Sequence, residues 1–216
     1  MAKYIQNDTG ICPFCKRRIH ITYNNVLNLT YRRDLQRREN LEKLNTSTCI
    51  FCGELYRYET EIFAFDLKNK YAIIVNKNGS EDYYSHLRSD IYRLAFSDEY
   101  HLRYVNTYLE MIEKALLFNS ELDDKAVEIA KQLYFTDIMN NLKEHYRFLA
   151  TDTNENTLTF TLYDDHDKIV YAENLDISKL NDIHVKCENK HSTFANYKAI
   201  DNKWAKEYLN GGKSND

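Results

Sequence analysis

The sequence has little of the two residues that interrupt chains, with one proline and five glycines in 216 residues. Long linkers draw heavily on these residues, so long disordered linkers are not expected. It also lacks any apolar run approaching the roughly 20 residues of a membrane-spanning helix. The first residues, Met1-Ala2-Lys3-Tyr4-Ile5-Gln6-Asn7-Asp8, hold no apolar stretch of the kind that forms a secretory signal. A cytoplasmic location with no membrane partner is therefore expected. No glycine-rich phosphate loop, nucleophile elbow or His-Glu-x-x-His occurs, which removes the activities that rest on those motifs.

What is present is an ordinary globular composition, 43% hydrophobic, with an unusual share of aromatics: 18 tyrosines and 10 phenylalanines. A tyrosine hydroxyl needs a partner when buried, so many of these rings should lie on surfaces or half-buried sheets. The abundance of Asn, Lys, Ile and Tyr fits an AT-rich genome, as in a low-GC bacterium or its phage. The net charge of −4 hides an asymmetry. Residues 1–50 carry nine Lys and Arg against four acids, a net +5, which leaves the remainder at −9.

Four of the five cysteines fall in two pairs, Cys12-Pro13-Phe14-Cys15 and Cys49-Ile50-Phe51-Cys52-Gly53, separated by 33 residues. Two thiolates three residues apart on one tight turn can face a single ion, and two such turns supply four ligands. Soft thiolates select zinc, with iron as the competitor. A closed four-cysteine sphere leaves no open position for water or substrate, so the expected role of Cys12, Cys15, Cys49 and Cys52 is structural. Gly53 suits a positive φ after the second turn.

The pattern predicts an α+β fold. A four-cysteine zinc ribbon with a helical insertion near residues 32–44 is expected to join an antiparallel sheet packed by two long antiparallel helices, with a C-terminal β-hairpin. The expected division is a zinc-ribbon lobe over 1–80 and an α+β body over 81–216. Arg18–Tyr23, Glu54–Phe65, Tyr71–Val75 and Ile91–Phe96 read as strands. Asp66–Lys70 reads as a hairpin connection, and Asn78-Gly79 as a turn. Helices are expected near 98–119, capped by Ser97, and near 123–149, opened by Asp123-Asp124. The segment 157–210 reads as β-rich: a hairpin of Thr157–Tyr163 and Lys168–Ala172, candidate strands at 183–187 and 197–200, and a short helix over Trp204–Leu209.

Other residues offer weaker chemistry. Cys187 is unpaired, with His184 and His191 near it in sequence, and an inert half-buried thiol is the favoured reading. His20 lies close to the first cysteine pair without a place in a four-sulfur site. Asp164-Asp165-His166-Asp167 has carboxylates for a hard metal but falls where a turn is expected. Arg17, Arg18, Arg32, Arg33, Arg37 and Arg38, with Tyr23 and Tyr31, form a basic and aromatic set that suits a nucleic-acid backbone. The alternative is a solvated face that balances thiolate charge, and the acidic remainder of the chain favours it.

The chain resembles the CpXC family of bacterial proteins. The resemblance is carried by the two cysteine turns, by Arg93-Leu94-Ala95-Phe96-Ser97, Leu102, Glu113-Lys114 and Glu121-Leu122-Asp123-Asp124, and by Ala126-Val127-Glu128-Ile129-Ala130-Lys131. Tyr197-Lys198-Ala199-Ile200-Asp201 and Trp204-Ala205 extend it toward the C-terminus. Ile50 stands where the family usually has Pro, and the segment after Tyr71–Val75 lacks the family's Pro. The resemblance implies a zinc-ribbon-like unit and an α+β body, and it implies no reaction. The expected function is thus a protein-binding or adaptor module with a structural zinc and no catalysis of its own. A nucleic-acid binder using the basic N-terminal lobe is the alternative, followed by an enzyme with a site the sequence does not reveal.

Overall fold

The computed structural model describes residues 5–31, 43–58, 60–75, 100–143, 145–164, 166, 168–183 and 199–211. It is a mixed α+β chain that divides into two compact units, Met1–Met111 and Ile112–Asp216. The sequence places a break at residue 80, but strands on either side of that point pair with each other.

The first unit begins with two small antiparallel ladders. Strands β1 (Ile5–Ile11) and β2 (Arg18–Asn24) pair from Ile5↔Asn24 to Ile11↔Arg18. Strand β2 alternates as expected, burying Ile19 and Ile21 while Arg18 and His20 face solvent. Strands β4 (Thr46–Thr48) and β5 (Leu55–Arg57) form the second ladder.

A four-stranded sheet has the order β3-β6-β7-β8, with β3 at Val26–Asn28, β6 at Ile62–Asp66, β7 at Tyr71–Val75 and β8 at His101–Val105. Every residue of β6 and β7 is buried, which explains the apolar runs Ile62–Phe65 and Tyr71–Val75. The expected hairpin between them is present. Asp66 closes it by accepting from the amides of Lys68 at 2.8 Å and Asn69 at 3.0 Å. The sheet is not antiparallel throughout: β3 runs parallel to β6, and β8 parallel to β7.

Three expectations need correction. The helix expected from residue 98 occupies only Tyr108–Asn119 (α1), because His101–Val105 forms β8. Leu102 and Val105 fit a helical stripe, but the edge of the buried strand β7 takes them instead. The helix start is a capping box at Thr107 and Glu110. The Glu110 carboxylate accepts from the amides of Asn106 at 2.8 Å and Thr107 at 3.0 Å, and Thr107 Oγ1 accepts from the Glu110 amide at 3.3 Å. The helix expected over 123–149 ends at Tyr134 (α2, Asp124–Tyr134) and is followed by a short α3 (Thr136–Asn140). Leu149 belongs to strand β9 (Arg147–Thr153), not to a helix. The expected strand Glu54–Phe65 is two strands, β5 and β6, in different sheets.

The second unit holds the antiparallel sheet β11-β10-β9, with β10 at Thr157–Tyr163 and β11 at Ile169–Asp176. The predicted hairpin is therefore correct, and β9 adds a third strand. Short helix α4 (Ser178–Asn181) follows β11, and α5 (Asn202–Leu209) is capped by Asp201, whose carboxylate accepts from the Trp204 amide at 2.9 Å. Ala199 and Ile200 are not in a strand. The strand expected at 91–96, the turn at Asn78-Gly79, residues 32–42 of the insertion and residues 184–187 lie outside the described residues.

The core of this unit gathers Leu117, Val127, Ala130, Leu158 and three phenylalanine rings. Phe135 lies 5.1 Å from both Phe148 and Phe160 between ring centres. Beside these apolar residues, three carboxylates and two ammonium groups are buried together. Lys114 Nζ lies 3.1 Å from Glu128 Oε1 and 3.4 Å from Asp124 Oδ2. Lys131 Nζ lies 2.8 Å from Glu113 Oε1 and 2.9 Å from Glu128 Oε1. Glu113 also accepts from the Ala150 amide at 2.6 Å, which ties α1 to β9. The formal charge of the group is one negative in excess. Burial pushes the Glu113 carboxyl above the ordinary glutamate range, against the pull of Lys131. Glu128 faces both lysines and is held below that range, although burial opposes it.

Two outcomes follow from this group. Lys131→Met leaves buried carboxylates without their cation and is expected to destabilise the protein by about 3–5 kcal/mol in denaturant unfolding. Glu113 holds its proton more tightly folded than unfolded, so its contribution to stability falls as pH rises above about 4.3, the unfolded value. Above that value, stability measured against pH should fall more steeply, or rise less, in the parent chain than in Glu113→Gln.

Candidate metal centre

Both cysteine turns are built the same way. In the first, the Lys16 amide donates to the Cys12 carbonyl at 3.0 Å and the Cys12 amide to the Arg17 carbonyl at 2.9 Å. In the second, the Gly53 amide donates to the Cys49 carbonyl at 2.9 Å and the Cys49 amide to the Glu54 carbonyl at 2.9 Å. The residue after each second cysteine has a positive φ, 60° at Lys16 and 76° at Gly53. Gly53 meets this requirement without steric cost, as its sequence position suggests. Lys16 meets it with a side chain, whose ammonium donates to the Pro13 carbonyl at 2.6 Å. Sequence reasoning misses Lys16 as a turn residue. The signal for it is the equal spacing of the two turns, since Lys16 stands where Gly53 stands.

The two turns bring their sulfurs together. Cys12 Sγ lies 3.8 Å from Cys52 Sγ, and Cys15 Sγ lies 3.7 Å from Cys49 Sγ. All four lie within 4.8 Å of one another and could hold a metal ion. A regular tetrahedron with metal–sulfur bonds of about 2.3 Å has edges of about 3.8 Å. The two close separations match that edge. Among the described residues no other group of cysteine, histidine or acidic side chains has this arrangement.

Cys12 and Cys49 are buried with Ile19, Ile21 and Tyr56, Cys15 is half-buried, and Cys52 is exposed. Cys12 and Cys49 are therefore part of the small core that joins the two ladders, with Cys15 packed against it. At the other end of these ladders, Asn45 does a similar job with its amide. Its Oδ1 accepts from the Asn24 amide at 2.8 Å, and its Nδ2 donates to the Asn24 carbonyl at 3.0 Å. Asn45 also has a positive φ of 55°, and its carbonyl accepts from the Tyr58 amide at 2.8 Å. Nothing in the sequence around Asn45 singles it out.

The sulfurs do not share charge equally. The Phe51 amide, followed by that of Cys52, points at Cys49 and lowers its thiol to about 6 against the effect of burial. At Cys52 the Glu54 amide acts in the same direction, but burial and the three neighbouring sulfurs outweigh it and raise the thiol to about 12. Four close sulfurs thus resist full ionisation, and a bound cation would remove that resistance.

Of the basic set, Arg17 places its guanidinium over the Phe51 ring, 5.1 Å from the centroid, and Arg18 is exposed on β2. Arg32, Arg33, Arg37 and Arg38 lie outside the described residues, as do Cys187, His184 and His191. His20 is exposed and takes no part in the sulfur cluster. Asp164 belongs to a turn, accepting from the amides of His166 and Lys168, both at 2.9 Å.

Fold and site together define an α+β protein with a two-turn, four-cysteine cluster able to hold a metal. A family model described as CpXC protein matches residues 11–131, more than half of the chain. The chain belongs to the CpXC family. The match takes in both cysteine turns, Glu113-Lys114 and the stretch of α2 ending in Lys131; the resemblance over residues 197–205 falls beyond it. Neither a curated protein nor a solved structure matches the chain.

Gly53→Ala places a Cβ at positive φ and should cost about 1–2 kcal/mol of stability. The same change at Lys16, from Lys to Ala, keeps a Cβ where one already stands and should cost less. Thermal unfolding of both variants, loaded with metal alike, checks the difference.

Proposed function

We propose that the chain is a zinc-stabilised protein-binding or adaptor module, with no catalysis of its own. The sulfur separations of 3.7 and 3.8 Å support zinc, because they equal the edge of a tetrahedral zinc–thiolate site. When bound, the ion supplies charge neutralisation and cross-linking to four thiolates. Cys12, Cys15, Cys49 and Cys52 fill its coordination sphere, so no position remains for a substrate or an activated water.

The adaptor reading rests on one observation, the apolar residues exposed at the tips of the cysteine turns. Phe14 and Ile50 stand between the paired cysteines at 56% and 85% exposure, and Phe51, Ile11 and Leu55 are exposed beside them. Apolar side chains gathered on rigid turns suit a protein surface better than a phosphate backbone. The cations beside them, Lys16, Arg17 and Arg18, offset the two negative charges of a zinc–tetrathiolate site. No specific observation among the described residues favours nucleic acid.

The test is recovery of partners from the native host by the intact protein, compared with an Ile50→Ser/Phe51→Ser double variant. A stoichiometric partner retained by the parent and lost by the variant, with zinc content equal in both, is the expected result. Recovery of no partner, or of one bound equally by both, contradicts the adaptor reading. A measured metal content below one zinc per chain in the parent contradicts the zinc reading separately.

A further inference from the structure

The second unit contains an open cleft of about 420 Å³. One side comes from the junction of α2 and α3, with Tyr134, Phe135 and Asp137; the other comes from the sheet, with Leu162, Tyr171 and Glu173. The register explains why the sheet residues face the same way. Leu162 is paired with Tyr171, and Phe160 with Glu173, so each pair projects from one side of the sheet. Phe160 packs against Phe135 on that side, 5.1 Å between ring centres. Strand β11 runs past this packed region, and there Tyr171 and Glu173 stay exposed.

The lining has two chemistries. Tyr134 and Tyr171, each 42% exposed, supply aromatic surface over an apolar floor that includes the buried Phe135. Asp137 and Glu173 supply carboxylates. The Tyr171 hydroxyl donates to Glu173 Oε2, which fixes these two side chains relative to each other. Among the described residues no Lys, Arg or His forms an ion pair with Asp137 or Glu173. The Tyr134 ring already attracts a cation from its own chain: Lys179 Nζ stands 4.9 Å from its centroid. An anion is repelled by the two carboxylates. A hydrated divalent metal ion would engage the two carboxylates but leave the aromatic half of the lining without a partner.

We propose that this cleft binds an organic monocation, a guanidinium or alkylammonium group such as an arginine or lysine side chain. Such a group satisfies both halves of the lining. Its charge meets Asp137 and Glu173, and its flat or alkylated surface lies on the tyrosine rings. The site is independent of the metal centre and of the adaptor reading.

The test uses the full chain with its tyrosines isotopically labelled, followed by aromatic NMR. Signals of Tyr134 and Tyr171, assigned with Tyr134→Phe and Tyr171→Phe, are expected to shift saturably on addition of N-acetyl-arginine amide. N-acetyl-citrulline amide, the same shape without charge, should leave them unmoved. Asp137→Asn and Glu173→Gln should each weaken binding about threefold to fivefold, the effect of one exposed ion pair. A short arginine-containing peptide binding more tightly than the single residue would assign the cation to a protein segment, and equal binding to a free small cation. The proposal is overturned if citrulline produces the same shifts, if neither tyrosine responds to arginine, or if both charge variants bind as the parent does.

Discussion

Four sulfur atoms confined within 4.8 Å of one another set the constraint from which the N-terminal architecture follows. Left as thiols they make poor mutual contacts, and as thiolates they repel. A single divalent ion satisfies all four. Among the described residues the buried apolar set around them is small: Ile19, Ile21 and Tyr56 beside Cys12 and Cys49. Two short ladders cannot derive much stability from a core of that size. Metal binding would then supply what hydrophobic burial does not, so that binding free energy becomes folding free energy for this region.

The rest of the region is arranged around that constraint. The two cysteine turns repeat one hydrogen-bond pattern and one positive-φ position, so that two ladders of unrelated sequence present sulfur in the same way. Asn45 and the Tyr23–Tyr58 ring pair, 5.1 Å between centroids, join the same ladders away from the sulfurs. With both ends of the ladders joined, the apolar residues on the turns can remain exposed without collapsing inward. The second unit follows a different principle. Its buried charges are paired across α1 and α2, and Glu113 carries the connection on to β9 through the Ala150 amide. Buried ion pairs of this kind contribute little net stability but strongly penalise arrangements that separate them.

The cysteine cluster was legible in the sequence because cysteine spacing is a local signal: three residues apart on a tight turn, twice. The α+β class, the Asp66–Lys70 hairpin and the hairpin of β10 and β11 were legible from alternation and turn residues. The helix boundaries were not. Leu102 and Val105 satisfy a helical period as well as a strand, and the open edge of β7 decides between them. Leu149 escapes a periodicity argument for the same reason, since its strand partner is Thr161 on β10, beyond the reach of a local pattern. Thr107 and Glu110 did carry a local signal, a capping box, that marks the true start of α1. Asn45 and the Lys114–Glu128 and Lys131–Glu113 pairs depend on contacts made only in the folded chain.

The central claim is that Cys12, Cys15, Cys49 and Cys52 form a closed tetrahedral site for zinc. X-ray absorption at the zinc edge of the purified protein tests it most directly. The account predicts four sulfur ligands at about 2.3 Å and no oxygen or nitrogen neighbour in the coordination sphere. A spectrum with fewer sulfurs and a bound oxygen or nitrogen, or a protein that folds fully with no metal at all, would contradict it.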